Sequence, residues 1–164
     1  RSVSHEELAD HIIGKESTYQ EICLSRPDEF VLSPGAIEFL DWLEDNDTPK
    51  TIATSSDKGN VDFFFEHLDL ARWFDYDRVA YDDGSIKGKP EPDLYLKAAE
   101  ILDVHPGTSM VIEDSKSGIA SANNAAVGII IAIGPEDNHS ELSSVEGVDL
   151  VVADFHELLK LQQT

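Results

Sequence analysis

Val111-Ile112-Glu113-Asp114-Ser115-Lys116-Ser117-Gly118-Ile119 is the stretch that decides how this chain is read. Its first residues complete an apolar run, Ser109–Ile112, that reads as a buried strand and stops at two adjacent carboxylates. A helical pattern over Ser115–Asn124 follows at once. Strand, acidic end, then helix is one unit of an α/β domain. Adjacent carboxylates repel each other unless a cation or a lysine compensates, and oxygen-only donors suit Mg²⁺, which takes one or two carboxylates and keeps several waters. The plainer alternative is Asp114 as a helix N-cap beside an exposed Glu113.

The alternation continues in both directions from this unit. The spacing predicts helices over Ser4–Leu24, Ala36–Asn46, Gly59–Leu68, Asp93–Leu102 and from Asp154 to Leu161. Ser4 and Glu7 form a capping box at the first of these, and Gly14 is expected to break it. Strands are expected over Lys50–Thr54, Arg78–Tyr81, Val127–Ile133 and Asp149–Val152. Such alternation predicts an α/β fold with three layers, a mainly parallel sheet and helices on both faces.

In open sheets of this kind ligands sit beyond the carboxyl ends of the strands. Thr54, Ser55 and Ser56 stand after the first expected strand, ahead of a helix N-terminus, which favours an anion. Taken alone, they also suit ordinary N-capping. Lys89, between Gly88 and Pro90, is a stiffly presented cation that can meet a phosphate oxygen or a carboxylate cluster, or else a solvated loop lysine. Hydroxyl, lysine and acidic pair occur in that order at successive strand ends, and together they suit phosphoryl transfer with a metal. A glycine-rich P-loop and a G-x-G-x-x-G are missing, so nucleotide-binding signatures fail. A phospho-receiver domain would place its acidic pair first, and this order argues against it.

Composition narrows the classes further. The 164 residues carry 33 Asp+Glu against 12 Lys+Arg, a net charge of −21, which disfavours nucleic acid and anionic membrane as partners. The longest apolar stretch, Ala125–Ile133, is about half of the ~20 residues that a membrane-spanning helix needs. Residues 1–24 hold charges where a signal peptide would be apolar, and one cysteine excludes an internal disulfide framework. A reduced, cytoplasmic protein is expected. The six histidines are scattered without ligand spacing and read as surface residues. Phe63-Phe64-Phe65 reads as core plus one exposed ring, and Cys23 as a small filler.

Thr51–Ser56, Gly88–Asp93 and Val111–Ile119 together resemble motifs two, three and four of the haloacid dehalogenase superfamily, most closely its β-phosphoglucomutase-like sugar phosphatases. The resemblance runs over about Leu32–Leu159 and includes Ser33-Pro34-Gly35 and Trp73-Phe74-Asp75. It implies a Mg²⁺-dependent phosphohydrolase or phosphomutase acting on small phosphorylated metabolites, sugar phosphates among them. Thr54 and Lys89 would serve catalysis; Thr54, Ser55, Ser56 and Lys89 would bind phosphate; Asp114 would ligate Mg²⁺, with Glu113 beside it or acting through water.

One motif does not match. The family's chemistry starts from an Asp-x-Asp after an N-terminal apolar strand, its first aspartate becoming phosphorylated and its second acting as general acid and base. No such pair follows an apolar run before Ser33, and Asp75-Tyr76-Asp77 precedes a strand instead. Residues 1–31 are expected to be a partial helical cap, with Ile13–Ser17 similar to a substrate-contacting segment, and residues 32–164 a core without its first strand. Arg1 does not suit a translated start, so the chain is expected to be part of a larger protein, inactive alone. Either the strands at 50–54 and 109–112 close on each other, or the missing strand comes from an N-terminal segment or a second chain. A non-catalytic phosphate- and Mg²⁺-binding module is the alternative.

Overall fold

Ile129–Ile133 contains no polar residue because both of its faces are covered. In the computed structural model, which describes residues 16–161, this strand is β2, flanked in parallel by β1 (Met110–Glu113) and β3 (Leu150–Val152). Side chains alternate along it with the two-residue period of a strand. Ile130 and Ala132 join a cluster with Tyr95, Ile119, Ala122 and Leu142, whereas Ile131 joins Phe39, Leu43, Val152 and Leu158 on the other face.

Those contacts define the layers. On one face lie α4 (Asp93–Leu102), α5 (Lys116–Asn124) and the short α6 (His139–Leu142); on the other lie α2 (Ala36–Asp45) and α7 (Phe155–Leu161). Glu157 N–H donates to Asp154 Oδ1 at 3.1 Å, the expected cap of the last helix. Gly35 is in the left-handed region at φ 77°, where a side chain would also collide with the backbone of Phe155 and His156. Its turn thereby lets α2 start hard against α7. Among the described residues, α6 was not expected from the sequence; it seals β2 with Leu142.

Before these come α1, helical over residues 16–25, and α3 (Lys58–His67). They pack through aromatic rings: Tyr19 meets Phe64 edge-on at 6.3 Å, and Phe30, just after α1, stacks on Phe63 at 5.2 Å. Phe63 is buried, Phe64 is half-buried, and Phe65 packs edge-on against Tyr76 at 5.1 Å. The Ser4 capping box and the Gly14 break lie outside the described residues.

The expected strands at 50–54 and 78–81 need correction. They reduce to one parallel bridge, Ala53 with Ala80, held by Thr54 N–H to Ala80 C=O and Ala80 N–H to Ile52 C=O, both 2.9 Å. Residues Tyr76–Arg78 coil into a 3-10 turn instead. An isolated two-stranded pair is marginal, and among the described residues this one has no third strand to extend against.

Nor do the two half-sheets close on each other. A cavity of about 680 Å³ separates Ile52 and Ala53 from Met110–Ile112, roofed by Phe39 and Leu43 of α2 and floored by Ala98, Ala99 and Leu102 of α4. Since Thr54 N–H and Ile52 C=O are taken by Ala80, the N–H and C=O of Ala53 point away from it. On the opposite edge, Ile129 N–H donates to Ser109 C=O at 3.2 Å. The even spacing of a parallel ladder then sends the Val111 and Glu113 amides to β2, and those of Met110 and Ile112 to the cavity side.

Candidate active site

Glu113 ends β1 and is buried, so its charge has to be met from within the protein. Three groups meet it. Lys89 Nζ donates to Oε2 at 2.8 Å, Tyr95 O–H donates to the same oxygen, and Ser115 donates to Oε1 through Oγ at 2.6 Å. Burial alone would push the Glu113 carboxyl up, but the hydrogen bonds from Lys89, Ser115 and Tyr95 outweigh it and hold the group below the usual carboxylate value. The Tyr95 phenol moves the other way, well above its ordinary value, through burial and the charge of Glu113.

Each partner is fixed in turn. Ser115 is the N-cap of α5 and accepts from Gly118 N–H at 3.1 Å. Gly118 has to be glycine, because a Cβ there would stand 2.0 Å from the Glu113 carboxyl carbon. Lys89 precedes a cis peptide bond to Pro90, and its loop is tied to α5 by Ser121 Oγ to Glu91 C=O and Asn124 Nδ2 to Pro90 C=O at 3.0 Å. Its ammonium lies 5.2 Å from the centre of the Tyr95 ring.

Across the pocket, Thr54 follows the Ala53 bridge. Its Oγ accepts from Ser56 N–H at 3.1 Å, which leaves the hydroxyl proton to donate elsewhere. Asp57 caps α3 by accepting from Asn60 N–H at 3.0 Å. Thr54, Ser55, Ser56, Lys89, Glu113 and Asp114 all line one open cavity of about 860 Å³ at the carboxyl ends of the Ala53 segment and β1. The structure therefore brings together every candidate residue read from the sequence.

Their circumstances differ, however. Asp114 is exposed at the rim, whereas both Glu113 oxygens are engaged by Lys89, Tyr95 and Ser115. Among the described residues, no group of three or more His, Cys, Asp or Glu stands ready to hold a metal. Yet five carboxylates (Glu16, Asp57, Asp82, Glu113, Asp114) line the cavity against the single cation Lys89. A phosphate dianion needs more positive charge than that. Tyr95, Ser115 and Gly118 were missed in the sequence, Tyr95 because it is hidden in the apolar stripe of α4; Glu16 falls within the Ile13–Ser17 segment noted above, whereas Tyr19 and Asn60, which also line the cavity, carry no motif that singles them out.

Residues 3–126 match the family model of haloacid dehalogenase-like hydrolases, and the chain belongs to that family. A phosphorylated carbohydrates phosphatase of Thermotoga maritima is 33% identical over 101 residues, 62% of this chain and 46% of that protein. A probable pseudouridine-5'-phosphatase of Drosophila melanogaster is 33% identical over 128 residues, 76% of this chain and 55% of the relative. The chain thus spans about half the length of the curated relatives it matches. The crystal structure of a HAD hydrolase, family IA, variant 3, from Entamoeba histolytica superposes with a TM-score of 0.87 at 37% identity, covering 96% of this chain and 69% of that one.

Proposed function

We propose that this chain forms the phosphate- and metal-binding part of a Mg²⁺-dependent phosphohydrolase or phosphomutase for small phosphomonoesters, sugar phosphates among them. The convergence of Thr54, Lys89 and Asp114 on one cavity beyond the strand ends carries the reading. Phosphatase relatives that act on phosphorylated carbohydrates support it.

In this reading Thr54 donates its free hydroxyl proton to a phosphoryl oxygen, assisted by the Ser55 N–H and by Ser56. Lys89 stands against a second oxygen, aimed by Glu113. Asp114 is the exposed hard donor and fits a metal that keeps several waters, with Glu113 acting beside it through Lys89. Mg²⁺ would supply the positive charge that the acidic cavity lacks. The nucleophilic carboxylate would stand on a strand occupying the 680 Å³ cavity between Ala53 and β1, whose edges offer Ala53 and Ile112 for pairing.

The test is Mg²⁺-dependent phosphate release from generic phosphomonoesters. It compares the 164-residue chain with a longer one in which an apolar strand bearing Asp-x-Asp precedes residue 1. Turnover is expected only in the longer chain and should fall at least a hundredfold on Lys89→Ala. An inert longer chain, with phosphate still bound by the shorter one, would favour a non-catalytic binding module.

A further inference from the structure

Asp83-Gly84 stands in the loop that leads to Lys89, and neither residue lines the cavity described above. Both are exposed, and nothing lies within 4 Å of the place that a Gly84 side chain would take. Gly84 is in the left-handed region at φ 77°. A backbone amide attacks the preceding side chain most easily in an Asp-Gly pair, since glycine puts no side chain in the way and its backbone turns freely.

That reaction is a dehydration. Gly84 N bonds to Asp83 Cγ, and the amide proton leaves with the carboxyl O–H as water, which closes a succinimide ring. Water then opens the ring at either carbonyl. Opening at Cγ restores aspartate, whereas opening at the main-chain carbonyl gives isoaspartate, with the chain rerouted through Cβ and Cγ. No electrons are exchanged, and water is the sole co-reactant.

The fold occupies both reacting groups. Gly84 N–H donates to Asp82 Oδ1 at 2.9 Å. Asp83 Oδ1 accepts from Ser85 N–H at 2.9 Å and from the Ser85 hydroxyl, and Oδ2 accepts from Lys97 Nζ at 2.7 Å. These bonds, that of Lys97 foremost, hold the Asp83 carboxyl well below the usual carboxylate range, so it lacks the proton that has to leave with its oxygen. Asp82 and Ser85 belong to the loop and move with it. Among the described residues, Lys97 is the one group that engages Asp83 from outside the loop; it stands on α4 beside the buried Ala98.

We infer that Asp83-Gly84 is a site of spontaneous conversion to isoaspartate, kept closed by Lys97. The inference is independent of the phosphate site. Its product is the substrate of a methyltransferase that recognises isoaspartyl carboxylates.

Incubation of the 164-residue chain in water enriched in the heavy oxygen isotope tests it, because each ring opening leaves one labelled oxygen. Trypsin releases residues 79–87, in which fragment masses locate the label. The folded chain should take up label at Asp83 more slowly than the free 79–87 peptide, and Lys97→Met should speed uptake about threefold, the weight of a part-exposed ion pair. Gly84→Ala in the Lys97→Met chain should remove the label. Phe63→Ala, which weakens the fold elsewhere, should leave the rate unchanged. Uptake in the unaltered chain as fast as in the peptide, no acceleration in Lys97→Met, equal acceleration in Phe63→Ala, or label that survives Gly84→Ala would each overturn the inference.

Discussion

At the scale of the residue, Glu113 has the most consequences. It is a buried anion that holds Lys89, and Gly118 exists to make room for it. Its carboxyl is held below the ordinary value, so its stabilising contribution is complete above the unfolded value of about 4.3 and disappears as pH falls through the lower folded value. Glu113→Gln leaves the Lys89 ammonium buried without a counter-charge and should cost about 3 kcal/mol at neutral pH. Urea titrations at several pH values check this. The gap between the two proteins should be constant from pH 7 to about 5 and should narrow as pH falls below the unfolded value of about 4.3, where the unfolded chain takes up the proton first, until the native carboxylate is protonated as well. A gap that stays constant into strong acid would show that the pair contributes nothing.

Among the elements, α1 depends on α3 for its position. Phe30 stacks on Phe63, Tyr19 leans on Phe64, and Gln20 reaches Asn60. Phe63 is 7% exposed, and Phe63→Ala should cost about 3–4 kcal/mol, read as a lowered urea midpoint. Proteolytic cleavage within α1 should also quicken, because the helix loses its stacking partner. The element pattern was largely legible in sequence: Asp93–Leu102 is reproduced residue for residue, since a proline start and an amphipathic stripe are local signals. The strands at 50–54 and 78–81 were not, because a strand's length depends on its neighbours and not on its own apolar run. The acidic pair was legible for the same local reason as α4. That Glu113 turns inward to Lys89 while Asp114 faces out depends on Gly118 and Tyr95, and those contacts are made only in three dimensions.

For the whole molecule, the parallel sheet is interrupted where a strand would fit, and the interruption lies under the proposed phosphate site. Charge has the same geography: an overall −21 leaves binding of an anion to local features, namely Lys89, the Thr54 hydroxyl and, in the function proposed above, a metal that Asp114 would hold. The cavity beside β1 also imposes a rhythm on solvent exchange. Val111 and Glu113 donate towards β2, whereas Ile112 between them faces the cavity. Deuterium uptake along β1 should therefore alternate, slow at Val111 and Glu113 and fast at Ile112, within a single strand of four residues. Uniformly slow uptake would mean that the two half-sheets meet in solution. Slowing at Ile112 alone, in a longer chain, would be the signature of a strand arriving between them.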